Sequence, residues 1–146
     1  MFNKEKMNAT GKVQVVLRDK DGKIKQEFET TNLVVDDGLD HIASRLNSTP
    51  TAMSHMALGS GSTAAASSDT ALGSELARVA FDSDNVTNNA IAYVATFSAG
   101  TATGSIEEAG VFNASSAGTM LCRTVFSVVN KAATDTLTVT WTVTIA

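Results

Sequence analysis

The residue pattern of this chain is that of a mainly β protein: an antiparallel β-sandwich, jelly-roll or immunoglobulin-like, with one short helix. Three observations carry that reading. Leu137, Val139, Trp141, Val143 and Ile145 alternate with Thr138, Thr140, Thr142 and Thr144, which gives a strand one apolar and one threonine face. Ile91, Tyr93, Ala95 and Phe97 repeat that period of two. Asp19-Lys20-Asp21-Gly22 separates two further alternating stretches, and Asp-Gly makes a hairpin turn because glycine accepts positive φ.

Taken in chain order, residues 1–11 read as a flexible polar arm and residues 12–146 as one domain. A length of 146 residues suits one domain with a real core. Val13, Val15 and Leu17 alternate with Gln14, Val16 and Arg18. After the turn, Ile24, Gln26 and Phe28 share one face of a second strand, with Lys25 and Glu27 outward. One helix is expected over 36–47, where Asp36 or Asp37 caps the exposed amides and complements the positive helix end. Leu39, Ile42, Ala43 and Leu46 follow at helical spacing, and Asn47-Ser48-Thr49-Pro50 stops the helix after about three turns.

Further strands are expected near 53–58, 75–82, 89–98, 106–112, 119–130 and 134–145. The short connection Lys131-Ala132-Ala133 predicts that the last two form a hairpin. Residues 59–74 are small and polar and read as a shaped connection between strands. No repeat of 20–50 residues is present.

Composition narrows the function classes. Net charge is -4, the Lys and Arg residues form no stripe, and direct nucleic-acid binding is not expected. Only 18% of residues are charged, against an apolar share of 43%; with many Thr, Ser and Ala, such a surface suits packing against protein partners. The lone thiol, Cys122, cannot close an intrachain disulfide and reads as a small buried hydrophobe. No apolar run approaches the ~18 residues of a membrane helix, and no signal-peptide core opens the chain. Folding in a reducing cytoplasm is the corresponding expectation.

No constellation for catalysis assembles on paper. His41 follows Asp40 directly, and adjacent helix residues point apart, so the Asp36-Asp37 pair does not make it a metal site. His55 stands between Ser54 and Met56 with no local partner and reads as a strand residue. Gly59-Ser60-Gly61-Ser62-Thr63 lacks the Lys and following helix of a phosphate loop, and the third glycine of a dinucleotide fingerprint. Glu107 and Glu108 point to opposite faces of a strand and cannot form a dyad, with Glu108 placed at a ladder or edge position. Trp141 lies on an apolar face and belongs to the core. The expectation is no catalytic, cofactor-binding or metal-binding residue, no cofactor and no enzyme activity.

Several segments resemble small virion structural proteins of tailed bacteriophages. They are Thr31 to Ala43, Met56-Ala57-Leu58-Gly59-Ser60-Gly61-Ser62-Thr63, and Ser68-Asp69-Thr70-Ala71-Leu72-Gly73-Ser74-Glu75-Leu76-Ala77-Arg78. Glu107 to Asn113, Thr119 to Phe126, Asn130-Lys131 and Asp135 to Trp141 continue the series. Each motif is weak alone; their order over residues 31–145 is what makes the resemblance specific. It implies a non-catalytic component of the phage particle, and no functional residue is carried over. The expected role is a head decoration or cement protein that binds the major capsid protein. A tail, neck or fibre-base component forming a symmetric ring or trimer, with a host-attachment role, is the alternative. Expected partners are other virion proteins and copies of itself, with no direct nucleic acid and no membrane; the expected location is the virion. A glycan-binding module is disfavoured by an aromatic content of 5%.

Overall fold

Ten strands and one helix form two five-stranded antiparallel sheets in a computed structural model that describes residues 6–146. The β-sandwich expectation holds. The strands are β1 (Ala9–Arg18), β2 (Ile24–Thr31), β3 (Leu33–Val34), β4 (His55–Gly59), β5 (Glu75–Ala80), β6 (Ser83–Thr87), β7 (Ala90–Phe97), β8 (Gly104–Phe112), β9 (Met120–Lys131) and β10 (Thr136–Ile145); α1 is Asp36–Ser44. The first sheet runs β2-β1-β10-β7-β6 and the second β3-β9-β8-β4-β5. Val13, Val15, Leu17, Phe97, Val139 and Trp141 of the first sheet meet Met56, Leu58, Ile106, Val111 and Val129 of the second, all 2% exposed or less.

The expected β1–β2 hairpin forms. Asp19 Oδ1 accepts from the amides of Asp21 and Lys23, and Gly22 sits at φ 83°. One detail differs. A register shift after Leu17↔Gln26 pairs Arg18 with Ile24, a bulge that turns Ile24 off the face of Gln26 and Phe28 and leaves it exposed. The strand also starts earlier than expected. Ala9, Thr10 and Gly11 already pair with Ile145, Thr144 and Val143, so the arm ends before Ala9; residues 1–5 of it lie outside the described residues.

The expected hairpin between 119–130 and 134–145 does not form. β9 pairs with β8 and β3, whereas β10 pairs with β1 and β7. The two strands lie face to face across the core, because each has an apolar face that the other sheet covers. The corner between them is built from charges. Lys131 Nζ donates to the Ser98 carbonyl at 3.0 Å, and Asp135, 2% exposed, accepts from the Ala132 amide and from Lys25 Nζ at 2.7 Å. That Lys25 bond, the Ala132 amide and the charge of Lys131 hold the Asp135 carboxyl below its ordinary pKa against the pull of burial.

The helix also docks differently. Its N-cap position is Val35, no side chain caps it, and Asp36 and Asp37 stand in the first turn. Gly38 is its buried residue. A Cβ there would lie 2.1 Å from the Leu121 carbonyl oxygen, so only glycine allows this approach. The contact face therefore runs through Gly38 and the half-buried Ile42. Leu39 (46% exposed) and Leu46 (89%) face away from the core. β3 and β6 had no counterpart in the sequence reading.

Candidate functional site

A cluster of buried charge lies on the outer face of the second sheet, beneath the long loop between β4 and β5. Register places Ala57, Gly59, Glu108, Gly110, Phe112 and Arg123 together on that face. Small residues there leave a trough. A Cβ on Gly59 or on Gly61 would each lie 2.5 Å from Glu108 Oε1, so glycine at both positions makes the space the carboxylate fills.

Glu108 is fully buried on the central strand of its sheet; of the two expected positions, ladder or edge, it takes the ladder. Its Oε1 accepts from the amides of Gly61 (2.9 Å) and Ser74 (2.7 Å). Its Oε2 accepts from the Gly73 amide (2.9 Å) and from Arg123 Nε (3.0 Å) and Nη2 (2.8 Å). The Arg123 guanidinium, 3% exposed, continues to Asp69 Oδ2 at 2.8 Å and to the Thr63 carbonyl at 3.0 Å. Asp69 Oδ2 also accepts from the Ala66 amide, and the Ser67 carbonyl accepts from the Asp36 amide at the start of α1. One arginine and two carboxylates thus hold both ends and the middle of the loop, and the loop supplies an acceptor to an otherwise open helix amide.

Burial by itself would raise the pKa of Glu108. The amides of Ser74 and Gly73, the Arg123 guanidinium and the Gly61 amide outweigh it, and the carboxyl stays below its ordinary range. Asp69 behaves alike: burial pulls it up, while the Ala66 amide and Arg123 bring it down further. Both groups are therefore held ionised, with both oxygens of Glu108 and Oδ2 of Asp69 already accepting hydrogen bonds. A general acid or base needs the opposite arrangement, a pKa near the working pH and a free position beside a substrate.

A second arginine closes the neighbouring loop. Arg78 lies 3.8 Å over the Phe112 ring, donates to the carbonyls of Ala114 and Ala117, and pairs with Glu75 at 2.7 Å. Leu72, Val35, Ala57, Phe112 and Met120 form a small apolar cluster beside it.

The other candidates remain apart from this centre. Glu107 is half-buried and Glu108 buried, and the β8–β9 ladder shifts register between Ile106 and Glu108. His41 lies in the last turn of α1, where burial and then Arg45 lower its pKa. His55 does have a local partner, Ser54 Oγ at 2.7 Å from Nδ1. Among the described residues no carboxylate hydrogen-bonds that imidazole, so the third group of a nucleophile–base–orienter set is missing. Burial raises the Cys122 thiol well above its ordinary pKa, which keeps it protonated and unreactive. No group of three or more His, Cys, Asp or Glu able to hold a metal occurs among the described residues, and no helix is long and apolar enough to cross a membrane.

Sequence reasoning saw Glu108 and the loop glycines but not their union. The available signal was the set Gly59, Gly61 and Gly73 flanking a strand with an acid in its apolar run. No family model, no curated protein and no solved structure matches the chain.

Proposed function

We propose that this chain is a non-enzymatic structural protein of a tailed-phage particle, a decoration or cement protein bound to the assembled head. One observation carries the reading: the buried charges of the site are consumed in fixing a surface loop. The segments that resemble phage virion proteins meet at that place. Residues 56–63, 68–78, 107–113 and 119–126 supply β4, the loop and β5, the end of β8 and the start of β9, and within them lie Asp69, Glu108 and Arg123. Their duty in this chain is architectural. They supply no reacting group, which favours binding over catalysis.

The mechanism is mass action. A protein that binds the closed shell and not the opened one stabilises the closed form, and loops held by buried ion pairs lose little further entropy on docking. Such a protein folds in the host cytoplasm and acts on the virion, against the major capsid protein.

The test is quantitative staining of purified particles together with antibody labelling. Copy number comparable to the major capsid protein, with label over the head, is expected, and particles lacking the chain should lose DNA at lower temperature. A handful of copies at the neck or tail would instead favour a ring or fibre-base component. Its absence from particles would end the virion reading.

A further inference from the structure

We infer that the groove between α1 and the inner face of the first sheet binds a small primary ammonium ion with an apolar body, its head seated between Asp84 and Tyr93. The inference stands on the groove alone and is independent of any role on a particle.

The groove has a volume of about 440 Å³, within the range of small-molecule sites. α1 packs on β9 through Gly38, and a space remains between its last turn and the first sheet. Ile91, Val143 and Ile145 form the sheet wall; Ile42, Met53 and Leu121 form the wall opposite. Such a lining takes an apolar body and offers it no polar partner.

Two polar groups on the sheet wall lack partners of their own. Tyr93 is 5% exposed, and its ring stacks on Phe81 at 4.7 Å. Its hydroxyl makes no hydrogen bond among the described residues, and the side chain lines the groove. Asp84 stands directly opposite Tyr93 in the β6–β7 register, so the two side chains share the inner face. Among the described residues the Asp84 carboxylate makes neither a side-chain hydrogen bond nor an ion pair, although it lines the same groove. The nearby Asp82 differs: its carboxylate already accepts from Thr96 Oγ1 at 2.6 Å. A phenol and a carboxylate left side by side are two acceptors in search of one donor.

The remaining charges decide the sign of the head. His41 and Arg45, one helical turn apart, face the groove from the end of α1. Burial and then Arg45 lower the His41 pKa, so the imidazole is neutral at pH 7. Arg45 is exposed to water and donates through Nη1 to the Pro50 carbonyl at 3.0 Å, which screens its charge and occupies part of it. Burial, then Cys122 and Asp84, push the Tyr93 phenol up to about 12, and Arg45 opposes them more weakly. Asp84 therefore outweighs Arg45 beside the hydroxyl. An ammonium placed there donates to the Asp84 carboxylate and to Tyr93 Oη, while its body covers Ile42, Ile91 and Val143. A carboxylate head would meet Asp84 as a like charge, and a neutral head would leave Asp84 without a counter-charge.

The experiment is a titration of the isotope-labelled full chain, followed by its amide resonances, with hexylammonium, hexanoate and hexanol. These probes share one body and differ in the head. Hexylammonium should bind with a Kd of about 1 mM or tighter and shift the amides of Ile42, Val86, Ile91 and Tyr93. It should bind about tenfold more tightly than either other probe. Asp84→Asn should weaken it about tenfold or more, and Tyr93→Phe about threefold. Asp82→Asn removes the same charge from a carboxylate outside the groove and should leave the affinity within about twofold. Dispersed spectra establish that each variant is folded; should one fail to fold, the ranking of the three heads on the unaltered chain decides. No hexylammonium binding up to about 10 mM, equal or tighter binding of hexanoate or hexanol, shifts confined to residues outside the groove, or undiminished affinity in folded Asp84→Asn or Tyr93→Phe would each overturn the inference.

Discussion

The outer faces of the two sheets show two ways of finishing a β-surface. On the second sheet, glycine and alanine leave a trough, and a loop held by Glu108, Arg123 and Asp69 fills it. On the first, a half-buried row of threonines on β10 is left open. The difference lies in what each face asks of its neighbours. The covered face needs every charge matched, because an unpaired ion in a dry place is costly. The open face needs nothing, because water satisfies its hydroxyls. Stability is therefore sensitive to single polar groups on one face and tolerant on the other.

The strongest way to break this contrast is to remove one ion from the covered face. Arg123→Ala leaves Glu108 buried without its cation, a change of about 3–5 kcal/mol. Trp141→Ala, which empties the core shared by both sheets, should cost a similar ~3–5 kcal/mol. Urea unfolding measures both. Limited proteolysis separates them: loop 60–73 should be cut early in Arg123→Ala and not in Trp141→Ala. Equal loop protection in the two variants would show that the loop does not depend on the charges.

Acid should undo the same anchor without mutation. Glu108 and Asp69 have folded pKa values below their ordinary 4.5 and 3.8. Their contribution is therefore fully present above those ordinary values and is lost as pH falls through them towards the folded values. The urea midpoint should hold from pH 7 to about pH 5 and decline below about pH 4. Asp135, also depressed, adds to the decline at the β9–β10 corner. Arg123→Ala should flatten only the share that belongs to the loop. A midpoint unchanged down to pH 3 would contradict the anchoring role.

Gly61→Ala is a milder intrusion on the trough. The added Cβ would come within 2.5 Å of Glu108 Oε1, and the side chain is held by the amides of Gly61, Gly73 and Ser74 and by Arg123, so it has little freedom to give way. A loss of about 1–3 kcal/mol is expected. Gly110→Ala, whose Cβ would meet Leu72 Cδ2 and Phe112 Cε2 at 3.0 Å rather than 2.5 Å, should cost less. Thermal unfolding of the two variants side by side checks the order.

What the sequence made legible follows the same division. Strands with alternating side chains, such as β7 and β10, were readable because their period is a local property. The β1–β2 hairpin was readable because Asp-Gly closes it locally. Strand pairing across Lys131-Ala132-Ala133 was not, since a short corner serves either a hairpin or a change of sheet. The deciding facts, the burial of Lys131 and Asp135, are tertiary. β6 was missed because Ser, Asp and Asn are poor strand formers; among the described residues β7 alone pairs with it. In α1 the apolar spacing pointed to Leu39 and Leu46, whereas the close approach at Gly38 set the buried face. Glu108 was noticed as an acid within an apolar run. Its four partner residues come from positions 61, 73, 74 and 123, and no local pattern joins them.

The smallest expected effect tests the open face. Thr140 lies on the central strand β10, opposite in direction to Trp141, and is half-buried by its neighbours. Its hydroxyl faces water in a single chain, so Thr140→Val removes no protein hydrogen bond and creates no cavity. The expected change is within about 0.5 kcal/mol, and β-branching is kept, so strand propensity is unaltered. Measured by urea unfolding at low protein concentration, a near-zero result supports the open face as a surface that stability does not use. A loss comparable to that of Trp141→Ala would mean that the threonine row is buried against something even in the isolated protein. The contrast between the two faces would then disappear, since both would be covered. Repeating the measurement at high concentration sharpens the point. An effect that appears only there would belong to association and not to the single chain.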